Sequence, residues 1–278
     1  MPPKAPRNFL GLVLIAPALA VVVLLFLIPL CEAVLGAFRT DAGFGLENVS
    51  KTYALYSRDI AFTFVIIALS ALLIALISVL FSGYLTLGTN ARAVALLRWL
   101  YRWPLFVPFI VVGQILRTFL AKNGLMNNLI VSTGAVSPMD TIGFLDWRGV
   151  VIAFVWKQVP FVTLLLAGAM ASLDRGTIEA ARNLGASRIR LLLEIVLPQV
   201  ASTLMVALTL SVVTMMSVLS VPLMLNPHSP TMITVNMAFR INAYGDYGVA
   251  NVLGLVSFAI TGLVAWIYLR ATLKENIR

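Results

Sequence analysis

The chain has 278 residues, 60% of them hydrophobic and 11% charged, with a mean hydropathy of +0.98. Soluble domains carry about 25% charged residues, so the composition excludes a soluble globular protein and describes an integral membrane one. A net charge of +9 in a soluble chain suggests nucleic acid; here its distribution has another cause, and no nucleic-acid partner is expected.

The apolar runs reach the 20 or so residues that a helical span requires, while the roughly 10-residue alternating segments of a membrane β-barrel are absent. The predicted fold class is therefore an all-α membrane protein with six transmembrane helices, built as one domain over 1–278. The first run, from Phe9 to about Phe38, follows Lys4 and Arg7. It is too long for a signal-peptide core and is read as a retained span. Arg39–Asp59 is predicted to be a polar external loop with a turn at Gly43 and Gly45. A second span over about Ile60–Leu87 leads to a connector with Arg92, Arg98 and Arg102, where Trp99, Tyr101 and Trp103 form an aromatic belt.

A third span is expected over Pro104–Leu120. In the following Ala121–Arg148 segment, Leu125, Met126, Leu129 and Ile130 recur at helical spacing and predict a short helix. The fourth span, about Gly149–Leu173, contains Lys157. The fifth is about Val200–Leu225, and the sixth about Ala250–Leu269. Lone Cys31 excludes an intrachain disulfide, and His228 lies in a turn-rich external stretch. No catalytic residue and no metal site is expected.

Between the fourth and fifth runs lies the polar stretch EAARNLGASRIRLLLEIVLP, Glu179–Pro198. Its chemistry predicts two short helices. Thr177 is positioned to cap the first, Gly185 to end it in the left-handed region, and Ser187 to cap a second that runs to about Leu197. The sidedness follows from charge. Lys4, Arg7, Arg92, Arg98, Arg102, Arg175, Arg182, Arg188, Arg190, Arg270, Lys274 and Arg278 fall on one side, and the opposite loops are nearly neutral. The positive-inside rule places both termini and the polar stretch in the cytoplasm.

Glu179-Ala180-Ala181, Gly185, Ile195 and Leu197-Pro198 match the pattern EAA-x3-G-x9-I-x-LP at every fixed position. The chain thereby resembles the permeases of binding-protein-dependent ABC importers of type I. The resemblance implies a coupling loop at about 174–198, with Glu179, Ala180, Ala181, Arg182, Gly185 and Ala186 meeting an ATPase. It also implies a bacterial inner-membrane location, two ATPase subunits, a second permease subunit, identical or different, an extracytoplasmic solute-binding protein and surrounding membrane lipid. The sequence has no phosphate-binding G-x-x-x-x-G-K-[ST] stretch. The chain is thus expected not to be an enzyme and to hold no cofactor, with ATP and Mg bound by the partner.

Sugar permeases of this kind usually carry an acidic residue before the glycine, whereas this chain has Asn183-Leu184-Gly185-Ala186. That favours the branch handling polyamines, phosphonates, sulfate, thiamine or ferric iron, and a small charged organic solute of polyamine or phosphonate type. A sugar permease is the alternative. An ion-gradient transporter would place paired ionisable groups in the membrane, and only Lys157 is a candidate. Lys157 either snorkels outward, helped by a helix break at Pro160, or faces the solute path and contacts the solute or Glu32. Thr209, Ser211, Thr214, Ser217 and Ser220 on the fifth span either pack helices closely or line that path, for which Thr214, Ser217 and Ser220 are the candidates.

Overall fold

The computed structural model describes residues 7–40 and 43–275. Helices α1 (Arg7–Val22) and α2 (Ile28–Phe38) are joined by a π-helical stretch, Val23–Leu27. Pro29, in the first turn of α2, cannot donate to the carbonyl four residues back and crowds it. That residue, Leu25, lies inside the π stretch, so the wider turn takes up the misfit. The strands β1 (Arg39–Thr40) and β2 (Gly43–Phe44) pair antiparallel, Arg39 opposite Phe44 and Thr40 opposite Gly43.

The predicted Arg39–Asp59 loop is largely helix. α3 runs from Glu47 to Leu87, 41 residues or roughly 60 Å. No glycine or proline interrupts Glu47–Asp59, and its polar side chains find local partners. Asn48 Nδ2 donates to the carbonyls of Ala37 (3.2 Å) and Arg39 (2.9 Å), and the Thr52 hydroxyl donates to the Asn48 carbonyl.

The connector after α3 is also ordered as helix: Asn90 caps α4 (Ala91–Leu100) by accepting from the N–H groups of Arg92 and Ala93. A 3-10 turn, Trp103–Phe106, then leads to α5 (Phe109–Leu120). The expected straight third span is replaced by a bent pair. The 12 residues of α5 cover only about 18 Å, and Ala91–Phe106 meets Phe109–Ser132 at 107°. Pro104 and Pro108 remove donors at the bend. The short helix predicted after it is present as α6 (Leu125–Ser132).

α7 (Trp147–Ala171) continues as helix past Pro160, so the break expected there does not form. α8 (Arg175–Asn183) is followed by α9 (Arg188–Arg190), a second π stretch (Leu191–Val196) and α10 (Leu197–Gln199). Here too a proline, Pro198, sits in the turn after the π stretch, and the carbonyl it crowds belongs to Glu194. The chain then bends by 76° into α11 (Ala201–Ser217), so the polar stretch meets the start of the fifth run at a sharp angle. α12 (Ser220–Leu225), α13 (Ile233–Asn242) and α14 (Tyr247–Glu275) complete the chain.

Leu14–Phe38, Glu47–Leu87, Trp147–Ala171 and Tyr247–Tyr268 are each long and apolar enough to cross a membrane. With each bent pair taken as one crossing the number is six.

Two units are packed separately. The first joins the residues up to Ser57 with Asn236–Ser257. It centres on Asp246, which pairs with Lys51 at 2.7 Å and Arg240 at 3.2 Å, while Arg240 also donates to the Tyr56 hydroxyl. The second takes Arg58–Val235 and the residues from Phe258 on. Its larger core stacks Ile66, Ile74, Val112, Phe154, Val162 and Met215. Its smaller core, formed by Val79, Leu87, Leu166, Met170, Leu191 and Val196, seats the polar stretch.

Candidate functional site

The Glu179–Pro198 stretch is built as two caps around one turn. Asp174, rather than Thr177, caps α8: its carboxylate accepts from the N–H groups of Gly176 (3.0 Å) and Thr177 (3.3 Å) and from the Thr177 hydroxyl. The hydrogen bond from Gly176 N–H, followed by those from the Thr177 hydroxyl and N–H, holds the Asp174 carboxyl below the usual carboxylate range. An aspartate outcompetes a threonine here because it accepts from two consecutive N–H groups and also carries charge at the helix N-terminus.

α8 ends in a Schellman motif. Ala186 N–H donates to the Ala181 carbonyl at 3.1 Å, Gly185 N–H to the Arg182 carbonyl at 2.9 Å, and Gly185 takes φ +86°. The predicted second cap forms, with the Ser187 hydroxyl accepting from Arg190 N–H at 3.3 Å. Arg188 fastens the loop by donating to the Thr89 hydroxyl at 3.0 Å, and Arg190 pairs with Glu194.

One face of this element is anchored and the other is presented. Ile178, Ala181, Ala186, Ile195 and Leu197 pack on the smaller core. Glu179, Ala180, Arg182 and Gly185 are exposed. So are two large apolar side chains that the sequence reading passed over, Leu184 at 89% and Ile189 at 72%. Their signal was available: each stands where a capped helix seated on a core would carry a polar residue. The turn thus exposes two apolar tips among charged groups.

The candidates for a solute path are distributed unevenly. The hydroxyls of Thr209, Thr214 and Ser217 each donate to the carbonyl four residues back, at 2.8 Å, leaving their oxygens as acceptors. Ser211 is fully buried against the larger core, as close helix packing requires. Exposed Ser217 and half-buried Ser220 flank a non-helical step at Val218–Leu219, whose Val218 carbonyl accepts from the Thr234 hydroxyl. Lys157 stands apart from them. Its ammonium donates to the carbonyls of Pro104 (2.7 Å) and Leu105 (3.0 Å) and lies 5.5 Å from the centre of the Phe109 ring.

Residues 79–272 match the family model of the binding-protein-dependent transport system inner membrane component. The chain belongs to that family. It is an ABC importer permease. This permease is 28% identical over 275 residues to the trehalose/maltose transport system permease protein MalF of Thermococcus litoralis, an alignment covering 94% of this chain and 92% of that one. It is 26% identical to the sulfoquinovosyl glycerol transport system permease protein SmoG of Agrobacterium fabrum, over 95% and 90%. The spermidine/putrescine transport system permease protein PotB of Salmonella typhimurium is 30% identical over 165 residues, 58% of this chain and 57% of that one. In fold the permease is similar to a chain of a bacterial alginate ABC transporter in complex with an alginate pentasaccharide-bound periplasmic protein. That likeness has a TM-score of 0.80 at 18% identity, over 94% of this chain and 93% of that one.

Proposed function

We propose that this permease passes a carbohydrate-type solute into the cytoplasm and is driven by a separate ATPase through the loop 174–198. The observation that carries the coupling is the presented face of that loop. Gly185 fixes the turn, Glu179 and Arg182 offer charge-assisted contacts, and Leu184 and Ile189 project beyond them. In this reading the basic loops face the cytoplasm, together with both termini. ATP and Mg are held by two ATPase subunits, a second permease completes the path, and a solute-binding protein delivers cargo from outside. Thr214, Ser217 and Ser220 line this chain's half of the path, with hydroxyl oxygens suited to accept hydrogen bonds from a polyol.

Two relatives aligned over nine-tenths or more of their own length, with a disaccharide and a sugar glycoside in their names, support the carbohydrate class over the charged solute that Asn183-Leu184 suggested. A polyamine is the second reading, favoured by that dipeptide and by the 30% identity to PotB. The test purifies the complex through a tag on this chain, identifies the associated ATPase and binding protein, and titrates the binding protein with trehalose, maltose and spermidine. Sugar binding supports the reading, and spermidine binding alone replaces it. Glu179→Lys should abolish solute-stimulated ATP hydrolysis at normal expression; unchanged stimulation would remove the loop from coupling.

A further inference from the structure

Beside α8 lies a cavity of about 530 Å³ whose wall carries Arg98, Arg102, Arg175 and Arg182. Among the described residues, Glu179 is the one carboxylate that lines it. Among the described residues none of these four guanidinium groups lies within ion-pair distance of a carboxylate. Arg102 has a weak contact to the Tyr101 hydroxyl at 3.4 Å and sits over that ring. Four like charges converging on one space repel each other, which is a cost unless an anion enters.

Tyr101, only 6% exposed, is also a wall of a second cavity of about 520 Å³. That one is an apolar groove between α3, α4 and α7, lined by residues such as Leu73, Phe81, Leu97, Leu100 and Val155. Basic cavity and apolar groove thus adjoin through one shared side chain. Beside them, Trp99 and Trp103 meet edge to face at 5.2 Å and are 59% and 58% exposed. Amphipathic rings of this kind settle at the headgroup level of a bilayer.

We propose that the two cavities together form a site for an anionic phospholipid, with the phosphate headgroup among Arg98, Arg102 and Arg175 and an acyl chain in the groove. A free phosphate or an acidic protein segment would satisfy the arginines but leave the groove empty; a phospholipid satisfies both. The assignment to the inner leaflet rests on the cytoplasmic placement of the loop proposed above. Because Arg182 and Glu179 line this cavity and also belong to the loop proposed to face the ATPase, the bound headgroup would sit beside α8 next to that surface.

The experiment takes the intact importer, purified through a tag on this chain, and scores by native mass spectrometry the lipid that remains on this chain. Phosphatidylglycerol is titrated against phosphatidylcholine, and glycerol phosphate serves as the chain-free probe. Wild type should hold phosphatidylglycerol selectively. Arg98→Gln with Arg102→Gln should weaken it roughly thirty-fold, from about 1 kcal/mol for each basic side chain near a membrane surface. The paired lysine replacement should retain most of the affinity, and Leu97→Trp should weaken the lipid while leaving glycerol phosphate unaffected. Equal retention by wild type and the paired glutamine variant would overturn the proposal. So would glycerol phosphate competing as well as the whole lipid, or loss of the ATPase from the glutamine variant with lipid retention intact. Failure of any ATPase to accompany the wild type would instead refute the coupling reading, since the lipid is scored on this chain alone.

Discussion

Lys157 and Pro104 lie 53 positions apart and meet where the third apolar segment bends: the ammonium donates to the Pro104 carbonyl at 2.7 Å and to Leu105 at 3.0 Å. At the bend the Pro104 carbonyl has the long bond from Val107 N–H at 3.3 Å, and Pro108 has no N–H to offer Leu105; in a membrane, backbone groups that lack partners cost several kcal/mol each. A lysine from the neighbouring helix supplies the donors. Lys157, expected either to snorkel or to face the solute path, has its ammonium hydrogen-bonded to the backbone at the break. Lys157→Met should therefore lower stability by about 1–3 kcal/mol, read as the thermal midpoint of the purified permease in detergent. Lys157→Arg should recover most of it. A Met variant as stable as wild type would show that these two bonds do not hold the bend.

Gly185 takes φ +86°, and a Cβ added there would touch nothing within 4 Å. The cost of a side chain is then conformational alone, about 1–2 kcal/mol for an ordinary residue and more for a β-branched one. Gly185→Ala should keep assembly and lose part of the solute-stimulated ATP hydrolysis; Gly185→Val should lose nearly all of it while inserting normally. Normal stimulation in the valine variant would show that the left-handed turn is dispensable.

Asp174 gives the loop a pH dependence of known sign. Its carboxyl is held below the ordinary value by the N–H of Gly176 and the hydroxyl and N–H of Thr177. The cap therefore contributes fully above the ordinary aspartate pKa, and that contribution is lost as pH falls through the lowered folded value. A spin label on Asn183 should become more mobile across that acidic window. Asp174→Asn, which still caps, should remove the pH dependence, and Asp174→Ala should be mobile at every pH. A wild-type label with no acid transition would show that Asp174 does not hold the helix start.

Asp59, 2% exposed, accepts from Thr231 N–H at 2.7 Å and from the Ser229 hydroxyl at 3.2 Å, and one turn on the Thr63 hydroxyl accepts from Ile233 N–H at 3.0 Å. These bonds tie α3 to the start of α13. Asp59→Ala leaves a buried N–H unpaired and should cost about 1–3 kcal/mol. Limited proteolysis between Asn226 and Thr231 should speed up accordingly. An unchanged cleavage rate would mean that this loop is held by something other than Asp59.

Chemistry carried by neighbours in the chain was legible in the sequence. The apolar runs announced a helical membrane protein. The glycine at 185 announced its own left-handed turn and Ser187 its own cap, because each acts on backbone groups within three residues. The spacing from Glu179 to Pro198 carries the family's pattern within twenty consecutive residues. What the sequence left open depends on partners far along the chain or on competition between neighbours. Thr177 was a sound cap on its own chemistry, and it lost to a carboxylate three residues earlier. The Arg39–Asp59 segment was polar enough for a loop, yet Asn48 and Thr52 found helical and capping partners that make it the start of a 41-residue helix. Only the tertiary structure could decide that Lys157 serves Pro104 and that Asp59 serves Thr231 across 172 positions. A bend or a loop in a membrane protein persists only when some other element satisfies the backbone groups it frees, and a local pattern does not encode which element that will be.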